Sequence, residues 1–142
     1  MLKTLGGKPL ALNDGAEATV VFFFSPWCET YLKSSRPAMA AACLKAREDV
    51  TRLSARPSAR WVGVGAGLWA SNKDLADYQH DHNLTLPLAL DETGGVFRAY
   101  KIVDVPTFVV LDKAGHVIGR TRRAEDAKRL AEQAGKPSAK VS

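Results

Sequence analysis

The chain has 142 residues, the usual size of one domain with a single core, and its 46% hydrophobic and 25% charged residues are ordinary for a soluble globular protein. No apolar run approaches the roughly 20 residues needed to cross a bilayer, which excludes a membrane-spanning helix. The net charge of +5 is concentrated toward the C-terminus (Arg120, Arg122, Arg123, Lys128, Arg129, Lys136, Lys140) without interleaved aromatics, which argues against a nucleic-acid partner and leaves an acidic partner open.

In chain order, Lys8 to Leu12 reads as a first strand before a polar turn at Asn13–Gly15. Val20 to Phe24 is a continuous run of β-formers, the pattern of a central strand covered on both faces. Ser25-Pro26 ends it, and a helix follows, with apolar positions at Leu32, Met39, Cys43, Ala46 and Val50 and a kink expected at Pro37. Trp61 to Ala66 is a second short strand. Ser71 and Asp74 form a capping-box pattern opening a helix to about His82, with Leu75 and Tyr78 facing inward. Leu86 to Leu90 is a third apolar stretch, and Val96 to Tyr100 a short helix. Thr107 to Leu111, a turn at Asp112–Gly115 and His116 to Thr121 make a hairpin. A last helix spans about Ala124 to Ala134, with Glu125 and Asp126 in its first turn and Gly135 at the C-terminal cap position. This order predicts one α/β domain over 1–134, a mixed central sheet with helices on both faces, followed by a flexible basic tail over 135–142.

Two cysteines are too few for a disulfide scaffold or a four-thiolate zinc site. Cys28 opens the helix after the central strand, where the helix dipole favours a reactive thiolate and the neighbouring Glu29 opposes it. Cys43 lies fifteen residues further along what reads as the same helix, roughly 22 Å away at about 1.5 Å per residue. The expectation is therefore that the two do not pair, and that Cys43 packs as a small apolar side chain beside Met39 and Val50. His80 and His82, two apart on a helix, point to different faces and read as surface residues rather than metal ligands. Gly63, Gly65 and Gly67 fail the dinucleotide fingerprint and fit close backbone packing better. No metal or cofactor is expected.

Phe22 to Cys28, ending Ser25-Pro26-Trp27-Cys28, together with Ala99 to Leu111, containing Val105-Pro106-Thr107, resemble the thioredoxin superfamily. The nearest branch is the TlpA/ResA-like redoxins, whose strand–helix insertion Trp61 to Asn83 resembles. The match runs from about Leu5 to Ala134. It implies a three-layer thioredoxin-like sandwich in which Cys28 is the catalytic nucleophile. Pro106 is expected in cis, facing the cysteine, with the backbone of Val105 pairing with an extended substrate. Trp27 and Tyr31 flank Cys28 and would shape the substrate surface, and Trp69 could reach the same edge.

The departure lies in the redox motif. Where the family reads Trp-Cys-x-x-Cys, this chain reads Trp27-Cys28-Glu29-Thr30-Tyr31, with Tyr31 in place of the resolving thiol. The helix proline comes nine residues after the cysteine rather than eight, and the acidic position of thioredoxin is Phe22 here. The expected activity is thus monothiol exchange with protein thiols or disulfides, with glutathione or another thiol releasing the mixed disulfide. A redox-inactive binding module is the alternative. A one-cysteine peroxidase ranks third, since Val21 and Ser25 stand where that chemistry has proline and threonine. A monomer is expected. Met1 as the native start would imply the cytoplasm, and a trimmed chain the periplasm.

Overall fold

Thr19–Phe24 (β3) is the centre of the fold, and all six of its residues are buried. A strand reads as an unbroken apolar run when both its faces are covered, and here they are. Val20, Phe22 and Phe24 enter one core cluster, while Val21 and Phe23 enter another on the opposite face. These observations come from a computed structural model that describes residues 2–12, 15, 17–55 and 59–134. Most of the turn expected at Asn13–Gly15, the Gly135 cap and the basic tail lie outside the described residues.

Arg60–Ala66 (β4) pairs with β3 in parallel, Val20 opposite Trp61 and Phe24 opposite Gly65. Leu88–Asp91 (β5) continues the sheet in parallel beyond β4. Thr107–Leu111 (β6) runs antiparallel on the other side of β3, Phe23 opposite Thr107, and Val117–Thr121 (β7) closes that edge as a hairpin. The sheet is mixed, in the order β5-β4-β3-β6-β7. The first strand expected at Lys8 to Leu12 shortens to Pro9–Leu10 (β2), which pairs with Leu2–Lys3 (β1) in a small separate sheet. Leu5 N–H then donates to Leu88 O at 3.2 Å, so the N-terminal segment covers the β5 edge.

One face of the sheet carries Pro37–Ser54 (α2), Asn72–Asp81 (α3) and Ala124–Ala134 (α5), which contribute Ala46, Val50, Leu75, Tyr78, Ala127 and Ala131 to the cluster around Val20, Phe22 and Phe24. Phe22, at the position where thioredoxin has its acidic residue, stacks on Phe24 at 4.9 Å and on Phe108 at 5.1 Å. The other face carries Gly95–Ala99 (α4), whose Phe97 meets the Phe23 ring edge-on at 5.2 Å. Helices on both faces of a mixed sheet make the three-layer sandwich expected from the alternation of elements.

The capping box at Ser71 forms as expected. Ser71 N–H donates to Asp74 Oδ2 at 2.8 Å, and Asp74 N–H to Ser71 Oγ at 3.2 Å. The glycines of β4 serve close packing: a Cβ on Gly63 would lie 2.5 Å from Leu88 Cδ2. The helix after β3 differs from expectation. It is broken into a single turn, Cys28–Tyr31 (α1), and the long α2, with Pro37 at the first position of α2 rather than at a kink inside one helix. Proline is well placed there, because the first N–H groups of a helix have no intrahelical acceptor.

Candidate active site

Three loops meet at one end of the sheet. β3 and β4 are parallel, so their C-terminal ends lead side by side into Ser25–Cys28 and Gly67–Ala70. β6 begins at Thr107, opposite Phe23, so the Val105–Pro106 loop enters the sheet beside the chain leaving β3. The Val105–Pro106 bond is cis, as the resemblance implied. Arg122 Nη2 donates to the Val105 carbonyl at 3.2 Å, Arg122 Nη1 lies 3.6 Å from Asp104, and Thr107 Oγ1 donates to Asp104 O at 2.7 Å. These bonds fix the loop from behind. A carbonyl has a second lone pair, so that of Val105 keeps capacity for one more donor.

An aromatic rim lies on the solvent side. Trp27 Nε1 donates to Leu68 O at 2.9 Å, which ties the segment before Cys28 to the loop after β4. The Trp27 ring lies 6.1 Å from Tyr31 and 6.3 Å from Trp69. Tyr31 is 71% and Trp69 78% exposed, so both present ring surface to water. Trp69 holds a left-handed backbone, φ 57°, which a bulky residue adopts only where its surroundings impose it. The structure thus brings Trp69 to the same edge as Trp27.

The cysteines overturn the expectation drawn from one continuous helix. Cys28 and Cys43 form a disulfide, with Cα atoms 6.3 Å apart, inside the range such a bond spans. The 22 Å separation does not apply because Leu32 to Arg36 reverse the chain between α1 and α2. Cys43 falls in the second turn of α2, where α1 packs back against it. Cys28 is therefore not a lone thiol, and Cys43 is buried as a half-cystine rather than as a plain apolar side chain. Cys28 is 0% exposed and Cys43 6%. Cys28 Sγ lies 3.7 Å from Met39 O, an acceptor it can use only when reduced and carrying a proton.

Beside the disulfide is an ion pair that the sequence reading did not single out. Arg47 Nε donates to Glu29 Oε2 at 2.8 Å and Arg47 Nη2 to Glu29 Oε1 at 2.9 Å, a two-pronged contact between α2 and α1. The side chains are 14% and 11% exposed. Tyr78 of α3 donates its hydroxyl to Glu29 Oε2 at 3.1 Å. Burial, and then the Glu29 charge, push the Tyr78 hydroxyl well above its usual 10, so it remains a donor. The bond to Glu29 raises Arg47 above its ordinary value. His82 packs edge-on against Tyr78 at 5.0 Å, and burial together with the Arg47 charge lowers its pKa below 6.5. His80 instead lies on the surface, 3.5 Å from Asp81. The spacing Cys43–Arg47, one helical turn, was the available signal for this group, since it puts both side chains on one face of α2.

Among the described residues no group of three or more His, Cys, Asp or Glu side chains could hold a metal ion. No helix among them is long and apolar enough to cross a membrane.

No family model matches the chain. Among solved structures, StoA from Bacillus subtilis superposes with a TM-score of 0.71 at 21% identity, over 92% of this chain and 93% of that one. The exposed lipoprotein thioredoxin Etrx1 of Streptococcus pneumoniae gives 0.71 at 20% identity, over 92% and 96%. The fold is that of the thioredoxins. In sequence, this thioredoxin-fold chain is 23% identical over 118 residues to sporulation thiol-disulfide oxidoreductase A of Bacillus subtilis, covering 82% of this chain and 66% of the relative. It is 24% identical over 131 residues to the thiol-disulfide oxidoreductase ResA of Bacillus thuringiensis subsp. konkukian, covering 90% and 68%. The chain thus spans about two thirds of the length of these curated relatives.

Proposed function

We propose that this protein exchanges its Cys28–Cys43 disulfide with thiols of other proteins. The observation that carries the reading is the pairing itself: the cysteine following the central strand has a second cysteine within bonding distance. The relatives' names point to the same chemistry. A substrate thiolate attacks Cys28 Sγ, the 28–43 bond breaks, and the electron pair leaves on Cys43 Sγ, which takes up a proton. A second substrate thiolate then attacks the substrate sulfur of the mixed disulfide and releases Cys28 as a thiol. The substrate gains one disulfide and the protein two thiols. Run backwards, the reduced protein reduces a substrate disulfide. No cofactor is needed, because the electrons travel in the S–S bond. The substrate strand lies along Val105–Pro106, with Trp27 and Tyr31 supplying apolar contact on either side of Cys28.

Two other readings remain in competition. In the single-cysteine route Cys28 acts alone and glutathione releases the substrate. In the binding-module reading the disulfide is a staple, and the complete burial of Cys28 favours it. The test is reduction of a model protein disulfide such as insulin under dithiothreitol, with Cys28→Ser and Cys43→Ser variants followed by mass. Exchange through the pair predicts no activity in Cys28→Ser and a trapped mixed disulfide in Cys43→Ser. Undiminished turnover in Cys43→Ser would establish the single-cysteine route. A wild-type rate equal to that of Cys28→Ser would establish the staple.

A further inference from the structure

We infer that Arg47 is a positioning residue for Cys28: its paired bonds to Glu29 clamp the turn carrying Cys28 against Cys43, and so set how readily the disulfide opens and recloses. The inference rests on the exchange reading above. Cys28 is fully buried, so an external thiolate reaches it only if the 28–31 turn swings out. That turn is a four-residue helix, too short to hold its shape without tertiary ties. Two such ties run from it to α2. One is the 28–43 disulfide and the other is the Glu29–Arg47 pair. Glu29 follows Cys28 directly, and Arg47 is one helical turn beyond Cys43, so the two ties lie side by side and join the same segments. Tyr78 braces the second tie from α3.

During exchange the first tie is broken and the turn swings out, and the ion pair, on re-forming, draws the turn back and returns Cys43 to Cys28. When glutathione thiolate attacks Cys28 Sγ, a Cys28–glutathione disulfide forms and Cys43 leaves as thiolate. Reclosure is the reverse attack of Cys43 on Cys28 Sγ, expelling glutathione thiolate. Its advantage over a second glutathione depends on the effective concentration of Cys43, which a clamped turn raises. Releasing the clamp both exposes Cys28 to attack and lowers that concentration. Both changes favour the open forms.

The experiment equilibrates the full chain with graded glutathione and glutathione disulfide, quenches with acid, alkylates, and weighs each redox form. Wild type is expected to pass between disulfide and dithiol with little glutathione adduct. Arg47→Met is expected to shift the equilibrium about tenfold toward the reduced forms, equivalent to about 30 mV, and to accumulate adduct on Cys28. Arg47→Lys keeps the charge but not the planar fork and is expected to fall between them. Glu29→Gln removes the charge at constant shape and puts the same question should Arg47→Met fail to fold. Wild-type equilibria without adduct in Glu29→Gln and in every folded Arg47 variant would overturn the clamp while leaving exchange intact. A wild type that forms no 28–43 disulfide in air would overturn the exchange reading and the clamp together.

Discussion

At the scale of single residues, the site is unusual for the charge buried beside its sulfurs. Glu29 can be desolvated because Arg47 donates two bonds to it and Tyr78 a third, which satisfies most of its acceptor capacity. His82 sits at the margin of this group and senses it. Burial and the Arg47 charge both disfavour the imidazolium, so the folded midpoint lies below 6.5. The sign for stability follows from proton counting. Between 6.5 and that lower midpoint the unfolded chain binds more protons at His82, so this contribution is complete above pH 6.5 and is lost as pH falls through the window. An NMR titration of the His82 ring should give a midpoint below 6.5. In Arg47→Met it should move upward, because one lowering charge is gone and Glu29 is left to favour the protonated ring. No movement would mean that Arg47 and His82 are not electrostatically coupled.

At the scale of elements, the loop after β4 is held by packing that a single methyl group disrupts. A Cβ on Gly67 would lie 2.5 Å from Asp91 O and 2.9 Å from Glu92 Cα, both backbone atoms that cannot turn aside. Gly67→Ala should therefore push the loop off the end of β5 and cost about 2 kcal/mol. Because the loop carries Leu68 and Trp69, the Trp27–Leu68 bond and the Trp27–Trp69 contact should go with it, read as a changed near-ultraviolet circular dichroism spectrum. An unchanged spectrum would show the loop to be positioned by something other than Gly67. Elements whose signals are local were legible in the sequence. The apolar run of β3, the capping box at Ser71 and the helix over 124–134 state their conformation within a few residues, whereas the cis bond before Pro106 was implied by the family resemblance alone. The break between α1 and α2 was not legible, because the apolar spacing from Leu32 to Val50 fits one continuous helix and a proline suits a kink as well as a helix start. That ambiguity hid the disulfide. Once Pro37 is taken as a first helical residue, as its missing N–H favours, the chain has five residues in which to turn, and Cys28 can return to Cys43. The β1–β2 pair escaped for a related reason: two-residue strands carry too few positions to show a period.

At the scale of the whole molecule, the disulfide closes a loop over a sequence separation of 15. Restricting the unfolded chain over such a loop is worth about 3 kcal/mol. For a chain of this length that corresponds to a fall of roughly 10 °C in Tm on reduction, measurable by calorimetry with and without dithiothreitol. The value of the ion pair should depend on the same switch. In the oxidised protein the disulfide pins the turn, so Arg47→Met leaves the largely buried Glu29 carboxylate without its counter-charge, at a cost of about 3 kcal/mol. In the reduced protein the turn can swing out and hydrate that carboxylate, so the same substitution should cost less. The difference between the two costs is a coupling energy, expected on the order of 1 kcal/mol for groups that share one mobile element. Urea titrations of wild type and Arg47→Met, each oxidised and reduced, supply the four free energies required. Equal costs in both redox states would mean that the turn stays in place when the disulfide opens. Cys28 would then remain buried throughout, and exchange would have to proceed at Cys43, the half-cystine that retains some exposure.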